Sequence, residues 1–199
     1  MQDNASRPIR SVCVYCGSRM GNHPAYKDMA ETIGQGLAKR GHTLVYGAGS
    51  IGLMGVVARA ARDAGGEVVG IIPRHLDDVE IVQDGLSETH ITENMHERKK
   101  MMFDRSDAFI VLPGGFGTLD ETLEVMTWVQ LGLHDKPIIL INHENYWTPL
   151  LELVNHVLEA GFADEKHRGI LQVAASAEEA LGLLGHTSRS TRPSESALF

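Results

Sequence analysis

The chain has 199 residues, 43% of them hydrophobic and 22% charged, and carries a formal net charge of −8 at pH 7. These are the dimensions of one ordinary globular domain with a core of its own, and the acidic balance offers no basic footprint for nucleic acid. No apolar run approaches the ~20 residues that cross a bilayer. The polar start MQDNASRPIR lacks the apolar segment of a secretory signal, so a cytoplasmic location is expected.

In chain order, residues 1–9 read as a flexible tail. Ser11 to Tyr15 is a continuous apolar run, as in a parallel strand covered on both faces. Cys16-Gly17-Ser18-Arg19 leaves it as a turn. Tyr26, Met29, Ala30, Ile33 and Leu37 recur at helical spacing behind Pro24, and Gly41 closes that helix. Thr43 to Tyr46 is a second strand. It runs into Gly47-Ala48-Gly49-Ser50-Ile51-Gly52, a G-x-G-x-x-G turn ahead of a helix over 53–64. A dinucleotide site would place an acidic residue at the end of the next strand, Glu67 to Ile72. That strand ends instead in Pro73-Arg74-His75, which argues against NAD.

Residues 76–85 are acidic and loop-like, and Glu88 to Thr92 forms a short strand. Asn94 with Glu97 makes a capping box ahead of the next helix. Ala108 to Leu112 is a strand, followed by Pro113, the glycines Gly114, Gly115 and Gly117, and a helical pattern from Thr118 to Leu131. Pro137 to Ile141 and Leu171 to Ala174 are further strands. Tyr146 to Glu159 is an amphipathic helix, and Ser176 with Glu179 caps a last one that ends near Leu184. The polar stretch 185–199 reads as a disordered tail. Alternation of strand and helix over 10–184 predicts a single α/β domain, a Rossmann-like doubly wound parallel sheet flanked by helices on both faces. Ligands of such sheets bind beyond the strand C-termini, and the turns at 16–18, 47–52 and 113–117 are expected to converge there.

Cys13 and Cys16 have the C-x-x-C spacing of redox or metal sites. They lie along a strand, however, where an odd separation sends side chains to opposite faces, so they read as two small buried residues.

The chemistry gathers on two stretches. A strand feeding a glycine turn and then a helix aims backbone N–H groups, and a partial positive charge, at an anion. Gly114, Gly115, Gly117 and Thr118 would cradle a phosphate, with Ser18, Gly47 and Gly49 on the adjoining turns. In 95–106, Met95, Arg98, Lys99, Met102 and Ser106 share one helical face, whereas Glu97, Lys100 and Asp104 share the other. Arg98 and Lys99 interrupt an inward-facing stripe, and buried cations must meet an anion. Arg98 would grip it with its planar fork and Lys99 as a point charge. Thr118-x-x-Glu121 is itself a capping box. A carboxylate at the lip of an anion site also suits a substrate that develops positive charge, as a sugar does when its bond to a base breaks. Asp120 and Glu124 stand beside it, as sugar-hydroxyl ligands or as surface charges.

Met95-His96-Glu97-Arg98-Lys99 together with Pro113-Gly114-Gly115-Phe116-Gly117-Thr118-Leu119-Asp120-Glu121 closely resembles the LOG (Lonely Guy) family of cytokinin riboside 5′-monophosphate phosphoribohydrolases, often mislabelled as lysine decarboxylases. C-G-S at 16–18, Y-G-A-G-S-I-G-L-M-G at 46–55, I-I-P at 71–73 and T-W-V-Q-L-G at 127–132 extend the resemblance from about 12 to 180. The resemblance implies a homodimer that hydrolyses nucleoside 5′-monophosphates, cytokinin ribotides or AMP, to free base and ribose 5-phosphate, with neither metal nor cofactor. It makes Arg98 and Glu121 the catalytic pair, with Lys99, Gly115, Gly117, Thr118 and Thr127 lining the nucleotide site. Ala48 replaces a glycine common in the family and is expected to leave its turn intact. Rival expectations are a nucleotide-binding sensor without turnover, a pyridoxal-dependent lysine decarboxylase, for which no lysine is placed, and a dehydrogenase.

Overall fold

The structure is a computed structural model that describes residues 8–74 and 83–186. Seven parallel strands form one sheet: β1 (Ser11–Tyr15), β2 (Thr43–Tyr46), β3 (Val68–Pro73), β4 (Glu88–Thr92), β5 (Ala108–Val111), β6 (Ile138–Ile141) and β7 (Leu171–Ala174). Their order is β4-β3-β2-β1-β5-β6-β7. The chain winds outward from β1 to β4, then returns to the other side of β1 at β5. The reversal therefore lies between β1 and β5, where Val12 pairs with Ala108 and Tyr15 with Val111. Among the described residues six α-helices flank the sheet: α1 (Ala25–Lys39), α2 (Gly52–Asp63), α3 (Met95–Asp104), α4 (Phe116–Gln130), α5 (Thr148–Glu159) and α6 (Ala177–His186).

Each face of the sheet buries its own apolar layer. Val12, Val14 and Ile110 pack with Met29, Ile33, Leu37, Val57, Ala61 and Leu181 from α1, α2 and α6. Cys13, Tyr15 and Phe109 pack with Met102, Phe103, Val125, Met126 and Leu150 from α3, α4 and α5. The two cysteines fall in opposite layers, Cys16 in the first and Cys13 in the second, as strand alternation requires, and both are free thiols. Burial pushes both thiols far up from their ordinary range, so neither is a ready thiolate.

Local signals fix most element ends. Asn94 Oδ1 accepts from the Glu97 N–H at 2.9 Å, and Ser176 Oγ accepts from the Glu179 N–H at 3.2 Å. Gly41 and Gly161 end their helices at φ +73° and +77°. Three sequence expectations change. Ile9, assigned to the tail, is only 9% exposed and joins the first layer. Helix α4 begins at Phe116 with extended Gly115 as its N-cap, so Thr118 sits inside the helix and forms no capping box with Glu121. Helix α5 begins at Thr148, which leaves Tyr146 in the preceding loop. The remainder of both tails and residues 75–82 of the acidic segment lie outside the described residues.

Candidate active site

The glycine turns meet at the strand reversal, as their sequence positions predict. The Gly17 N–H donates to Pro113 O at 3.1 Å, joining the turns after β1 and β5. Leu53 and Met54 N–H groups donate to Gly17 O at 3.0 and 3.3 Å, joining the turn after β1 to the start of α2. The approach is close enough to require bare backbone. A Cβ on Gly52, already at φ +60°, would lie 2.3 Å from the Ser18 carbonyl carbon, and one on Gly114 would lie 2.1 Å from Thr118 Oγ1. Ala48 adopts φ +63°, where glycine is favoured, and the turn forms with the alanine buried.

This junction walls a cleft of about 790 Å³ whose lining includes Ser18, Arg19, Tyr26, Gly115, Phe116 and Tyr146. Its volume suits a nucleotide-sized ligand. Gly115, Phe116 and Gly117 are exposed at the start of α4, and a Cβ on Gly115 or Gly117 would meet only open space. Their N–H groups are among those that a helix leaves unpaired at its N-terminus, so this edge of the cleft favours an anion. Gly47 and Gly49 lie buried beneath it, as floor rather than open backbone.

Arg98 and Glu121 form the centre of the site. Arg98 Nη1 donates to Glu121 Oε1 at 3.1 Å, and each side chain is only 11% exposed. Arg98 Nε also donates to Ile71 O at 3.1 Å, at the end of β3. A Cβ on Gly47 would lie 2.0 Å from Arg98 Nη2, so the first glycine of the second turn makes room for the guanidinium. Of the two partners that sequence reading allows Arg98, a ligand anion or an acidic side chain, the structure shows the acidic side chain. The Arg98 charge is matched within the chain by Glu121, because a guanidinium this buried needs its counter-ion before any substrate arrives. The geometry makes Arg98 the group that orients Glu121. Glu121 Oε2 accepts no hydrogen bond among the described residues. Burial, opposed by Arg98 and Lys99 and reinforced by Asp120, raises the Glu121 carboxyl above its ordinary 4.5.

Lys99 Nζ bridges Asp120 Oδ2 at 3.2 Å and Glu124 Oε1 at 3.1 Å. Burial works against its charge, but the two carboxylates prevail and raise its pKa, so the amine stays protonated. Lys100, on the opposite face, pairs with Asp104 at 2.7 Å, as a solvated charge should. Thr127 lies further along α4, apart from this cluster. Its hydroxyl donates to Leu123 O at 2.7 Å, and it lines an apolar groove with Leu153 and Val157 of α5.

Counting Arg98 and Lys99 against Glu121, Asp120 and Glu124, the cluster holds two cations and three carboxylates. That balance disfavours an added anion there, whereas the glycine edge offers backbone N–H donors, and Arg19 on the same cleft has no ion pair among the described residues. From Gly115–Phe116 to Glu121 is about one and a half helical turns, or ~8 Å along the axis. No group of His, Cys, Asp and Glu among the described residues is arranged to hold a metal ion, and no described helix is long and apolar enough to cross a membrane. Sequence reading missed Arg19 and Tyr146 as cleft residues. Their signal was position: each lies in a loop that leaves the C-terminal end of a strand, the edge on which such sheets bind ligands.

Residues 54–184 match the protein family described as "Possible lysine decarboxylase". The chain is 48% identical over 171 residues to the cytokinin riboside 5′-monophosphate phosphoribohydrolase LOG5 of Arabidopsis thaliana, covering 86% of this chain and 75% of that protein. It is 46% identical over 171 residues to the phosphoribohydrolase LOG of Oryza sativa subsp. japonica, covering 86% and 71%. Among solved structures, the molybdenum cofactor carrier protein of Chlamydomonas reinhardtii superposes with a TM-score of 0.68 at 19% identity, over 90% of this chain and 98% of that one. The molybdenum cofactor binding protein of Rippkaea orientalis gives 0.68 at 23%, over 90% and 97%. At these identities the two structures speak for the fold alone. The relatives matched along most of the sequence, together with the family match over residues 54–184, establish that the chain belongs to the LOG family of cytokinin riboside 5′-monophosphate phosphoribohydrolases.

Proposed function

We propose that the protein hydrolyses the N-glycosidic bond of adenosine 5′-monophosphates, N6-modified or plain, to free base and ribose 5-phosphate. The observation that carries this reading is the buried Arg98–Glu121 pair at 3.1 Å, set along α4 from an exposed helix N-terminus. The 5′-phosphate sits on the N–H groups of Gly115 to Thr118, beside Arg19 and Ser18. Asp120 and Glu124, steadied by Lys99, face the ribose. The C1′–N bond breaks with its electron pair leaving on the base, and positive charge builds at C1′. The Glu121 carboxylate, held in place by Arg98, stabilises that charge and takes a proton from the water whose oxygen bonds to C1′. The departing base gains a proton from solvent, and Glu121 gives its own back to solvent.

Lysine decarboxylation is disfavoured by Lys99. A Schiff base forms from a neutral amine, and this amine is kept charged between two carboxylates. The homodimer implied by the family resemblance finds support in the face where Leu123, Leu153 and Val157 are 42%, 54% and 37% exposed beside Thr127. A second copy on that face would bring Thr127 to an interface. Light scattering coupled to size exclusion reads the mass. To test the reaction, purified protein is incubated with AMP and with isopentenyladenosine monophosphate, with a known relative alongside. Release of free base supports the reading. Intact substrate in both samples, while the relative turns over, leaves a nucleotide-binding protein without hydrolysis.

A further inference from the structure

We infer that Tyr146 is the positioning residue of the phosphate subsite. Its hydroxyl donates to Gly114 O at 2.6 Å, across the mouth of the cleft from the loop after β6. In a trans peptide the C=O and the following N–H point in opposite directions. Anchoring the Gly114 carbonyl on the phenol therefore fixes the direction of the Gly115 N–H, one of the donors at the exposed start of α4. Gly114 has no side chain to lock this peptide, and Gly115 has nothing within 4 Å of its Cβ position. The tyrosine supplies the restraint that the glycines lack.

The loop is built to deliver that hydroxyl. Glu144 and Asn145 both adopt the left-handed region, at φ 47° and 62°, which non-glycine residues occupy at a cost. The strained turn is held by Asn142, whose side chain accepts from the Trp147 N–H at 2.8 Å and donates to Thr148 Oγ1 at 3.1 Å. His23 Nε2 meets Glu144 Oε2 at 3.2 Å, and Tyr26 packs edge-on against the Tyr146 ring at 5.6 Å between centroids. Turns from both sides of the strand reversal thus converge on one phenol aimed at one carbonyl.

The inference rests on the phosphate reading of the α4 edge, and the test separates the two. Tyr146→Phe keeps the ring and its aromatic contacts and removes only the hydroxyl. The expected result is a KM for AMP raised about tenfold, the scale of one hydrogen bond, with kcat within twofold of wild type. Calorimetric titration should show ribose 5-phosphate binding weakened by the same factor, and inhibition by adenosine, which lacks the phosphate, unchanged. Equal ribose 5-phosphate affinity in the two proteins overturns the inference, as does a fall in kcat at unchanged KM. Wild-type protein that binds ribose 5-phosphate without cleaving AMP sinks the hydrolase reading alone, and the titration still decides the role of Tyr146. Wild-type protein that binds no ribose 5-phosphate overturns both.

Discussion

Glu121→Gln separates catalysis from stability at the centre of the site. At 3.1 Å the attraction between Arg98 and Glu121 is about 5 kcal/mol for an effective dielectric near 20. Keeping a carboxylate out of water costs several kcal/mol, so most of that attraction is offset. The amide retains an acceptor for Arg98 Nη1, and Ile71 O still holds Nε. The net change in stability is about 1 kcal/mol, a shift in Tm of roughly 2–4 °C. Turnover depends on the charge itself and should fall at least ~100-fold, or about 2.7 kcal/mol in the barrier. The assay is base release followed chromatographically, with calorimetry for Tm and AMP affinity. Binding persists in the expected outcome. Turnover within tenfold of wild type would reduce Glu121 to a structural partner of Arg98.

The pH dependence of this group has a definite sign. Burial raises the folded-state pKa of Glu121 above 4.5, so the folded protein holds that proton more tightly than the unfolded chain. Its contribution to stability is full below the unfolded value and is lost as pH rises through the folded one. Relative to wild type, Glu121→Gln is therefore more stable at pH 8 than at pH 4.5, and the acid limb of wild-type kcat lies above the ordinary carboxylate range. A limb at or below 4.5 would contradict the burial argument.

Arg98→Ala strands Glu121 in a buried position. It should cost about 3 kcal/mol, lower Tm by roughly 6–12 °C and abolish base release. A Tm within about 2 °C of wild type, the shift expected of less than about 1 kcal/mol, would mean that the pair is not buried as described. Gly47→Ala places a Cβ 2.0 Å from Arg98 Nη2. Because the opposing atom is the end of a flexible side chain, the fold should survive while kcat drops at least ~10-fold, the cost of misplacing a catalytic group. Unchanged kcat would show that the guanidinium position is not critical. Cys13 and Cys16 are buried free thiols, so a chromogenic disulfide reagent should react with neither until denaturant is added. Fast native labelling would revive a redox role for C-x-x-C.

The fold was legible because strand and helix signals alternate without interruption and the sheet is covered on both faces. Apolar runs such as 108–112 then read as buried strands. The three glycine turns could be placed at strand ends, and doubly wound topology carried them to one crevice. The face of α3 was also legible, since helical spacing alone separates Arg98 and Lys99 from Lys100. Which anion Arg98 meets was not legible, because pairing across α3 and α4 is a tertiary fact and both a ligand and Glu121 satisfy the same rule. Thr118 misled for a physical reason: extended Gly115 caps the helix and starts it two residues earlier, turning an apparent capping box into a buried helical threonine. Tyr146 was hidden in an amphipathic pattern that runs two residues past the true start of α5.

The central claim is that Glu121 and the α4 edge act on one bond, C1′–N, with the phosphate left in place. Phosphorus and proton NMR of a reaction with isopentenyladenosine monophosphate tests it most directly. The account predicts free base and ribose 5-phosphate in equal amounts, no inorganic phosphate, and neither product with Glu121→Gln. Inorganic phosphate with intact nucleoside, or no product from wild-type protein, would contradict it.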